Sequence, residues 1–572
     1  MNQPKKPIIW SISGSDCSGG AGIAADIKTG HALGVEVCHL ITANTVQNSK
    51  QLVSVNPIAC DILQQQVEAL ITDKPPSIIK VGIVATLAQV NWLTDTLATL
   101  RRQFPTLKTV YDPVGSASVS GTFIDYPLTA LSSLLKEIDV ITPNLGEAQQ
   151  LSQLAKVDSA QANGSDISPA EIMAAGILSL GVKSVIIKGG HVAPNSEHQA
   201  SNKADNNKVT DYCLNRLDTD LASAIKTPEM AATAVSYQLS SERIDSRYSH
   251  GGGCSFASAI ASYLAHGYLL RDAFTLAKAF MQKGFIANFG RNDSYGAFEQ
   301  VSHAKETSGP RTESQCTEKQ SIENQQKTVI GHHFPQVEDK VNQSYQALGG
   351  FKTLGLPDKT NSEIKRDGSQ SLGIYPVVDS LEWLERLLPL ELNIIQLRIK
   401  DISDFKALDG IIAKAVALYK NSATRLFIND YWQLAIKHGA YGVHIGQEDL
   451  QDADLSAIQQ AGLRLGVSTH GCYEFLLAQQ LKPSYLAIGA IFPTNTKDMT
   501  GQIQGLDNLQ SILSLSTDIP IVAIGGINHE RAARVWQTGV DSLAVVTAIT
   551  EAENPEQATK ALQSLCRESI LI

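Results

Sequence analysis

Ile394-Ile395-Gln396-Leu397-Arg398-Ile399-Lys400 starts as a buried strand and ends in groups suited to chemistry. Alternation sets Gln396, Arg398 and Lys400 on one side of an extended chain and aliphatic residues on the other. The pattern recurs along the last part of the chain. Apolar runs lie at 373–378, 394–400, 426–430, 442–446, 465–469, 485–489, 519–526 and 542–547, with helical stretches between them. Eight βα units of this kind close into a (β/α)8 TIM barrel, whose active site forms at the carboxyl ends of its strands. The run ends carry Asp379, Arg398, Lys400, Asn429, Asp430, Asp449, Ser468, His470, Thr494, Lys497, Gly525, Gly526 and Thr547. These residues are predicted to converge on one rim.

Upstream, residues 1–302 also alternate strands and helices. Strands are expected at 8–13, 37–43, 78–83, 109–112, 140–142 and 185–189. Helices are expected at 21–33, 60–72, 87–103, 128–136, 169–180, 255–266 and 270–288. Such alternation predicts a largely parallel sheet covered by helices. The polar stretch 194–208 reads as a surface loop. Between 303 and 371 Ser, Gln, Glu, Lys and Thr dominate, which predicts a mostly flexible linker with some short local order. The barrel then occupies 372–572.

Bulk properties narrow the function class. A chain of 572 residues exceeds one ordinary core and calls for two or more domains. The net charge of −10 argues against nucleic-acid binding. No apolar run nears the roughly 20 residues that span a bilayer. The basic start, Met1 to Lys6, leads directly into a strand and does not read as a signal peptide. The eight cysteines show no metal-ligand spacing, as expected for reduced thiols in a cytoplasmic enzyme. The expected partners are small molecules, with no nucleic acid and no membrane.

Two glycine-rich elements punctuate the first half. Residues 13–23, Ser-Gly-Ser-Asp-Cys-Ser-Gly-Gly-Ala-Gly-Ile, follow the first strand and open a helix. This is either a tight βα turn or a close approach of backbone to a ligand. His250-Gly251-Gly252-Gly253-Cys254 opens a second, apolar helix. Amides there can stabilise charge on a transferred phosphoryl group. Cys254, at the positive end of the helix, is expected to have a lowered pKa and to accept a proton from an attacking hydroxyl. A small buried thiol in a glycine turn is the alternative.

In the second half, two cations on strand 394–400 call for an anion such as a diphosphate. Asp430 and Asp449 end neighbouring runs and suit Mg²⁺, which takes oxygen ligands and binds alongside substrate phosphates. Asn429 can bond a heterocycle. Pro493-Thr494-Asn495-Thr496-Lys497 offers groups for a second ligand. Gly525-Gly526 and Val546-Thr547 follow the seventh and eighth strands, where barrels often bind phosphate.

Taken in order, residues 14–33, Thr42 to Gln47, Asp112-Pro113, Thr142-Pro143-Asn144-Leu145-Gly146-Glu147-Ala148, Lys188-Gly189-Gly190-His191 and Gly251 to Cys254 closely resemble hydroxymethylpyrimidine/phosphomethylpyrimidine kinase. The resemblance implies a ribokinase-like three-layer α/β fold and two ATP-dependent phosphorylations, of a pyrimidine alcohol and then of its monophosphate. It carries Gln47 to the aminopyrimidine, Asp112 and Glu147 to the metal and phosphates, Lys188 to a phosphate, Cys254 to the base, and Gly251 and Gly253 to the anion hole. A homo-oligomer through this domain is compatible with it. Gly252 stands where the family has threonine, and Cys17 replaces a usual proline.

The set QLRIK, FINDYW, GVHIGQEDL, GVSTH, FPTNTK, AIGGI and VVTAI strongly resembles thiamine-phosphate synthase. The resemblance implies condensation of hydroxymethylpyrimidine diphosphate with a thiazole phosphate, releasing diphosphate. It carries Gln396, Arg398, Lys400, Asn429, Ser468 and Lys497 to the pyrimidine diphosphate, and Asp430 and Asp449 to Mg²⁺. It carries Thr494, Thr496, Gly526, Val546 and Thr547 to the thiazole phosphate. Thr547 replaces a common serine and Ile503 a usual proline. With cations around the leaving group, a dissociative step is expected, followed by attack of the thiazole nitrogen. Two rivals stand beside this reading: a pyridoxine-type kinase, and a barrel that only senses a phosphate.

Overall fold

A computed structural model of the chain describes residues 6–48, 51–115, 123–155, 168–190, 207–216, 234–244, 246, 248–287, 296–301, 333–338, 345, 348–354, 372–400, 404–494, 503–515 and 518–568. The packing separates two units, Met1–Asp339 and Lys340–Ile572.

The first unit is built on a ten-stranded sheet. Its strands are β1 (Ile8–Asp16), β2 (Glu36–Gln47), β3 (Leu52–Pro57), β4 (Ile78–Val81), β5 (Lys108–Tyr111), β6 (Val140–Ile141), β7 (Ser184–Ile187), β8 (Lys208–Asn215), β9 (Val235–Glu242) and β10 (Gln336–Glu338). They lie in the order β10-β9-β8-β7-β6-β5-β4-β1-β2-β3. The stretch from β7 to β2 is parallel, as the βα alternation predicts. Both flanks are antiparallel, through β3 on one side and β8, β9 and β10 on the other. These flanking strands escape the sequence reading because they are short or partly exposed and lack the buried runs of the centre. β10 comes from the stretch read as linker, and its Val337 is fully buried.

The helices are α1 (Gly22–Ala32), α2 (Cys60–Asp73), α3 (Leu87–Gln103), α4 (Ser132–Leu135), α5 (Leu145–Leu154), α6 (Pro169–Ser179), α7 (Gly252–Ala265) and α8 (Leu270–Ala287). Strand alternation sorts them into layers. Trp10, Ile12, Ile79 and Val81 share a core with Leu63 of α2, Leu93 and Leu97 of α3, Leu151 of α5 and Ile177 of α6. The intervening Ser11 and Lys80 point the other way, to Asp26 of α1. Ser258 of α7 also donates to Asp26, at 2.6 Å. The result is a three-layer α/β sandwich. Lys80 and Asp26 are both fully buried, 2.9 Å apart. A pair so placed persists because the two serines satisfy the remaining carboxylate valences.

The second unit is a closed parallel barrel. Its strands are β11 (Gly373–Val378), β12 (Ile394–Leu397), β13 (Arg425–Asn429), β14 (Gly442–Gly446), β15 (Arg464–Thr469), β16 (Tyr485–Ile488), β17 (Ile521–Ile524) and β18 (Ser542–Val545), and β18 pairs with β11. Large and small residues alternate around the interior. A Cβ on Gly442 would lie 2.4 Å from the Phe427 ring, and one on Gly466 would lie 2.1 Å from the Tyr485 ring. Both glycines make room for aromatic side chains that fill the barrel. Another piece of the expected linker closes the amino-terminal end. Leu354 joins the interior cluster with Leu372, and the Phe351 amide donates to the Lys482 carbonyl at 2.9 Å.

Candidate active sites

In the sandwich, the two glycine-rich loops clasp each other. The Asp16 carboxylate accepts from the amides of Ser18, Gly20 and Ala21, from the Ser18 hydroxyl, and pairs with His250 Nε2 at 2.8 Å. Burial alone would raise its pKa, but bonds from His250, Gln47 and Ser18 outweigh it and hold the carboxyl well below the usual range. Gly251 caps α7 with φ of 79°, and a Cβ there would lie 1.9 Å from the Gly20 carbonyl oxygen. Only glycine fits that contact. Gln47 ends β2 beside this loop, half-exposed, where the Cys17 thiol donates to its carbonyl.

The start of α7 also meets Asp112 and Lys188. A Cβ on Gly253 would be 3.4 Å from Lys188 Nζ and 3.6 Å from Asp112 Oδ2. Lys188 donates to Asp112 Oδ1 at 2.8 Å, while Oδ2 is buried without a hydrogen-bond partner among the described residues. Glu147 caps α5 in a capping box with Asn144. Burial pushes its carboxyl up to about 7 against the pull of Lys188, with Asp112 adding to the rise. Thus Gly251, Gly253, Cys254, Lys188, Asp112 and Glu147 come together. The expected lowering of the Cys254 pKa is reversed. Enclosure pushes the thiol up to about 12, despite the nearby Lys80 cation and the Gly22 amide. Desolvation outweighs the helix terminus. His191 lies outside the described residues.

In the barrel, the carboxyl ends of the strands surround a cavity of about 180 Å³. One side carries Arg398, Asp430, Glu448 and Asp449. Enclosure by the cavity wall, then the Asp449 carboxylate, push Asp430 up to about 6, with Arg398 opposing. Asp430 has φ of 63° and accepts from the Asn429 amide. Burial holds the pKa of Arg398 below its ordinary value, against the smaller opposing pull of Asp430 and Glu448. Two facing carboxylates that repel each other fit a divalent cation completed by substrate oxygens. Among the described residues no cluster of three His, Cys, Asp or Glu would hold a metal without such help.

The other side carries Thr494, Gly525, Gly526, Val546 and Thr547. Gly525 and Gly526 have φ of 102° and 62°, and a Cβ on Gly526 would lie 2.5 Å from the Pro493 carbonyl. Between the sides lie Gln396, Asn429, His444, Ser468 and His470. One expectation fails: Lys400 does not share a buried face with Gln396 and Arg398. β12 ends at Leu397, alternation lapses, and Lys400 is exposed. Thr496 and Lys497 lie outside the described residues.

Two family profiles match successive parts of the chain. The profile for thiamine monophosphate synthase matches residues 374–549. The thiamine-phosphate synthase of Yersinia pseudotuberculosis serotype O:1b (strain IP 31758) is 57% identical over 196 residues, 34% of this chain and 91% of that one. The chain belongs to the thiamine-phosphate synthase family. Its first unit matches the profile for phosphomethylpyrimidine kinase over residues 16–299. Among solved structures, the pyridoxal kinase of Staphylococcus aureus is similar at 27% identity and a TM-score of 0.41, covering 53% of this chain and 96% of that one. The phosphomethylpyrimidine kinase of Clostridium difficile 630 is similar at 27% identity and a TM-score of 0.35, covering 49% and 99%. The chain is an enzyme of thiamine biosynthesis, with a phosphomethylpyrimidine kinase domain followed by a thiamine-phosphate synthase domain.

Sequence reasoning missed several residues of the synthase cavity. Glu448 sits one position before Asp449 in the turn Gln447–Asp449. His444 faces inward from the middle of β14, where burial suppresses its protonation and holds its pKa near about 3. A histidine inside an apolar run was the available signal. No described helix is long and apolar enough to cross a membrane.

Proposed function

We propose that the kinase domain phosphorylates hydroxymethylpyrimidine and then its monophosphate with ATP, and that the synthase domain joins the resulting diphosphate to thiazole phosphate. The kinase is assigned to 1–302 together with β10, and the synthase to 372–572 together with the segment that carries Phe351 and Leu354, with the rest of 303–371 as linker and the protein in the cytoplasm. The convergence of Arg398, Asp430 and Asp449 on one side of a cavity, with Gly525 and Gly526 on the other, supports a site for two phosphorylated substrates.

In the kinase, phosphoryl transfer depends mainly on positioning and charge stabilisation. Gln47 presents an amide to the aminopyrimidine. Lys188 and the amides of Gly251 and Gly253 hold the transferred group. Asp112 and Glu147 offer oxygens to Mg²⁺. Cys254 takes the alcohol's proton as a minor thiolate, because the free thiol is protonated.

In the synthase, Asp430 and Asp449 would hold Mg²⁺, which would supply positive charge for the leaving diphosphate. Arg398, Lys400 and Lys497 add to it. Gln396, Asn429 and Ser468 hold the pyrimidine. Thr494, Thr496, Gly526, Val546 and Thr547 hold the thiazole phosphate. Departure of diphosphate leaves positive charge shared with the aminopyrimidine ring, and the thiazole nitrogen then attacks the methylene carbon.

The test is to incubate the whole chain with pyrimidine alcohol, thiazole phosphate and Mg-ATP. Thiamine phosphate is expected; its absence would overturn the reading. Phosphorylation of pyridoxine-like alcohols in preference to the aminopyrimidine would instead favour the rival kinase. The identity shared with thiamine-phosphate synthases argues against a barrel that merely senses phosphate.

A further inference from the structure

Beneath the synthase cavity runs a line of buried polar groups. Gln396 Nε2 donates to the Tyr375 hydroxyl at 3.1 Å. The Tyr375 and Tyr485 hydroxyls are 2.8 Å apart. Tyr485 Oη lies 2.6 Å from His444 Nδ1, and His444 Nε2 lies 2.7 Å from Ser468 Oγ. Both tyrosines are excluded from solvent, and His444 nearly so. Only Gln396, His444 and Ser468 reach the cavity.

The count of protons gives the line a direction. The Gln396 amide nitrogen has only hydrogens to offer, so the Tyr375 oxygen accepts from it. The remaining acceptor for the Tyr375 hydrogen is Tyr485. If that bond ran the other way, a buried tyrosine hydrogen would lack a partner, which native interiors avoid. Tyr485 therefore gives its own hydrogen to His444 Nδ1. An imidazole whose Nδ1 accepts carries its hydrogen on Nε2. That hydrogen goes to Ser468 Oγ, leaving the serine's hydrogen to face the cavity.

The geometry points to Gln396, Tyr375, Tyr485 and His444 forming a one-way hydrogen-bond relay that makes Ser468 a donor to the ligand and so selects a ligand with an acceptor atom, such as a ring nitrogen, at that depth. Tyr375, Tyr485 and His444 are positioning residues. They act through Ser468 and need not touch the reacting atoms. Identifying the ligand as the pyrimidine diphosphate rests on the synthase reading; the direction of the relay does not.

Nuclear magnetic resonance of the full chain, with histidine rings labelled with nitrogen-15, tests the relay. Of the 13 histidines, His444 is assigned by the signals lost in His444→Gln. At neutral pH, Nε2 is expected to be protonated and Nδ1 bare. In Tyr485→Phe the ring should lose this single tautomer, and KM for the pyrimidine diphosphate should rise roughly tenfold with a smaller change in kcat. Tyr375→Phe should keep the Nε2–H form, because Tyr485 still donates to Nδ1. A merely structural role would not separate the two variants in this way. If Tyr485→Phe fails to fold, the wild-type ring and Tyr375→Phe still decide. A hydrogen on Nδ1 in the wild type would reverse the bonds that link Tyr375, Tyr485, His444 and Ser468 and overturn the proposal, as would an unchanged tautomer in Tyr485→Phe. An Nε2–H ring in a protein that forms no thiamine phosphate would sink the synthase reading and leave the relay standing.

Discussion

At the scale of single residues, charge and backbone geometry set the strongest expectations. Asp430 titrates near 6, so its carboxylate is ionised above that value and protonated below it. A proton and Mg²⁺ compete for it. The Mg²⁺ concentration needed for half-maximal synthase activity should therefore climb as pH falls through about 6. Asp430→Asn should cost synthase kcat/KM about 10²-fold or more and leave kinase turnover unchanged. The Cys254 thiol is shifted the other way, up to about 12. Kinase kcat/KM should increase from about pH 6 to pH 9 as thiolate accumulates, and the residual activity of Cys254→Ala should be flat over that range. Gly526→Ala meets both a positive φ and the Pro493 carbonyl. It should lower the stability of the synthase domain by about 1–3 kcal/mol in thermal denaturation and raise KM for thiazole phosphate.

At the scale of elements, the pieces recovered from the expected linker matter most. Leu354 and Phe351 are buried against the amino-terminal end of the barrel. A fragment starting at residue 340 should therefore be more stable to denaturant than one starting at 372, by about 3 kcal/mol or more. Equal midpoints would show that the segment adds nothing. The start of α7 offers a complementary case. Among the described residues, a Cβ on Gly252 would meet nothing nearer than the Met281 methyl at 3.6 Å. Gly252→Thr should fold normally, unlike Gly251→Ala, whose Cβ collides with the Gly20 carbonyl.

For the whole molecule, the kinase product is the synthase substrate in the proposed function, and the chain supplies both sites in equal number. The linker is expected to tether them. Unlabelled pyrimidine diphosphate added in bulk should then dilute label passing from pyrimidine alcohol into thiamine phosphate. Failure to dilute would require direct transfer. Separate chains of 1–339 and 340–572, mixed at equal concentration, should match the intact protein in final product once the intermediate accumulates.

The eight barrel strands and the central parallel strands were legible because long apolar runs admit one arrangement, buried with helices between them. The candidate site was legible where a polar residue ended such a run, as at Arg398, Asn429, Asp430 and Ser468. The antiparallel flanks were not, since half-exposed strands such as β8 and β9 carry a mixed pattern. Nor was the exposure of Lys400, which depended on where β12 stops pairing. The high Cys254 pKa and the line from Gln396 to Ser468 also came only from tertiary structure. A thiol's acidity depends on the water excluded around it. Tyr375, Tyr485 and His444 lie far apart in the chain, and only barrel closure brings their polar atoms together. Sequence alone determined two α/β units and pointed to polar groups gathered on one rim of the second; three-dimensional packing decided which of those groups are charged, which are buried and which way their hydrogen bonds run.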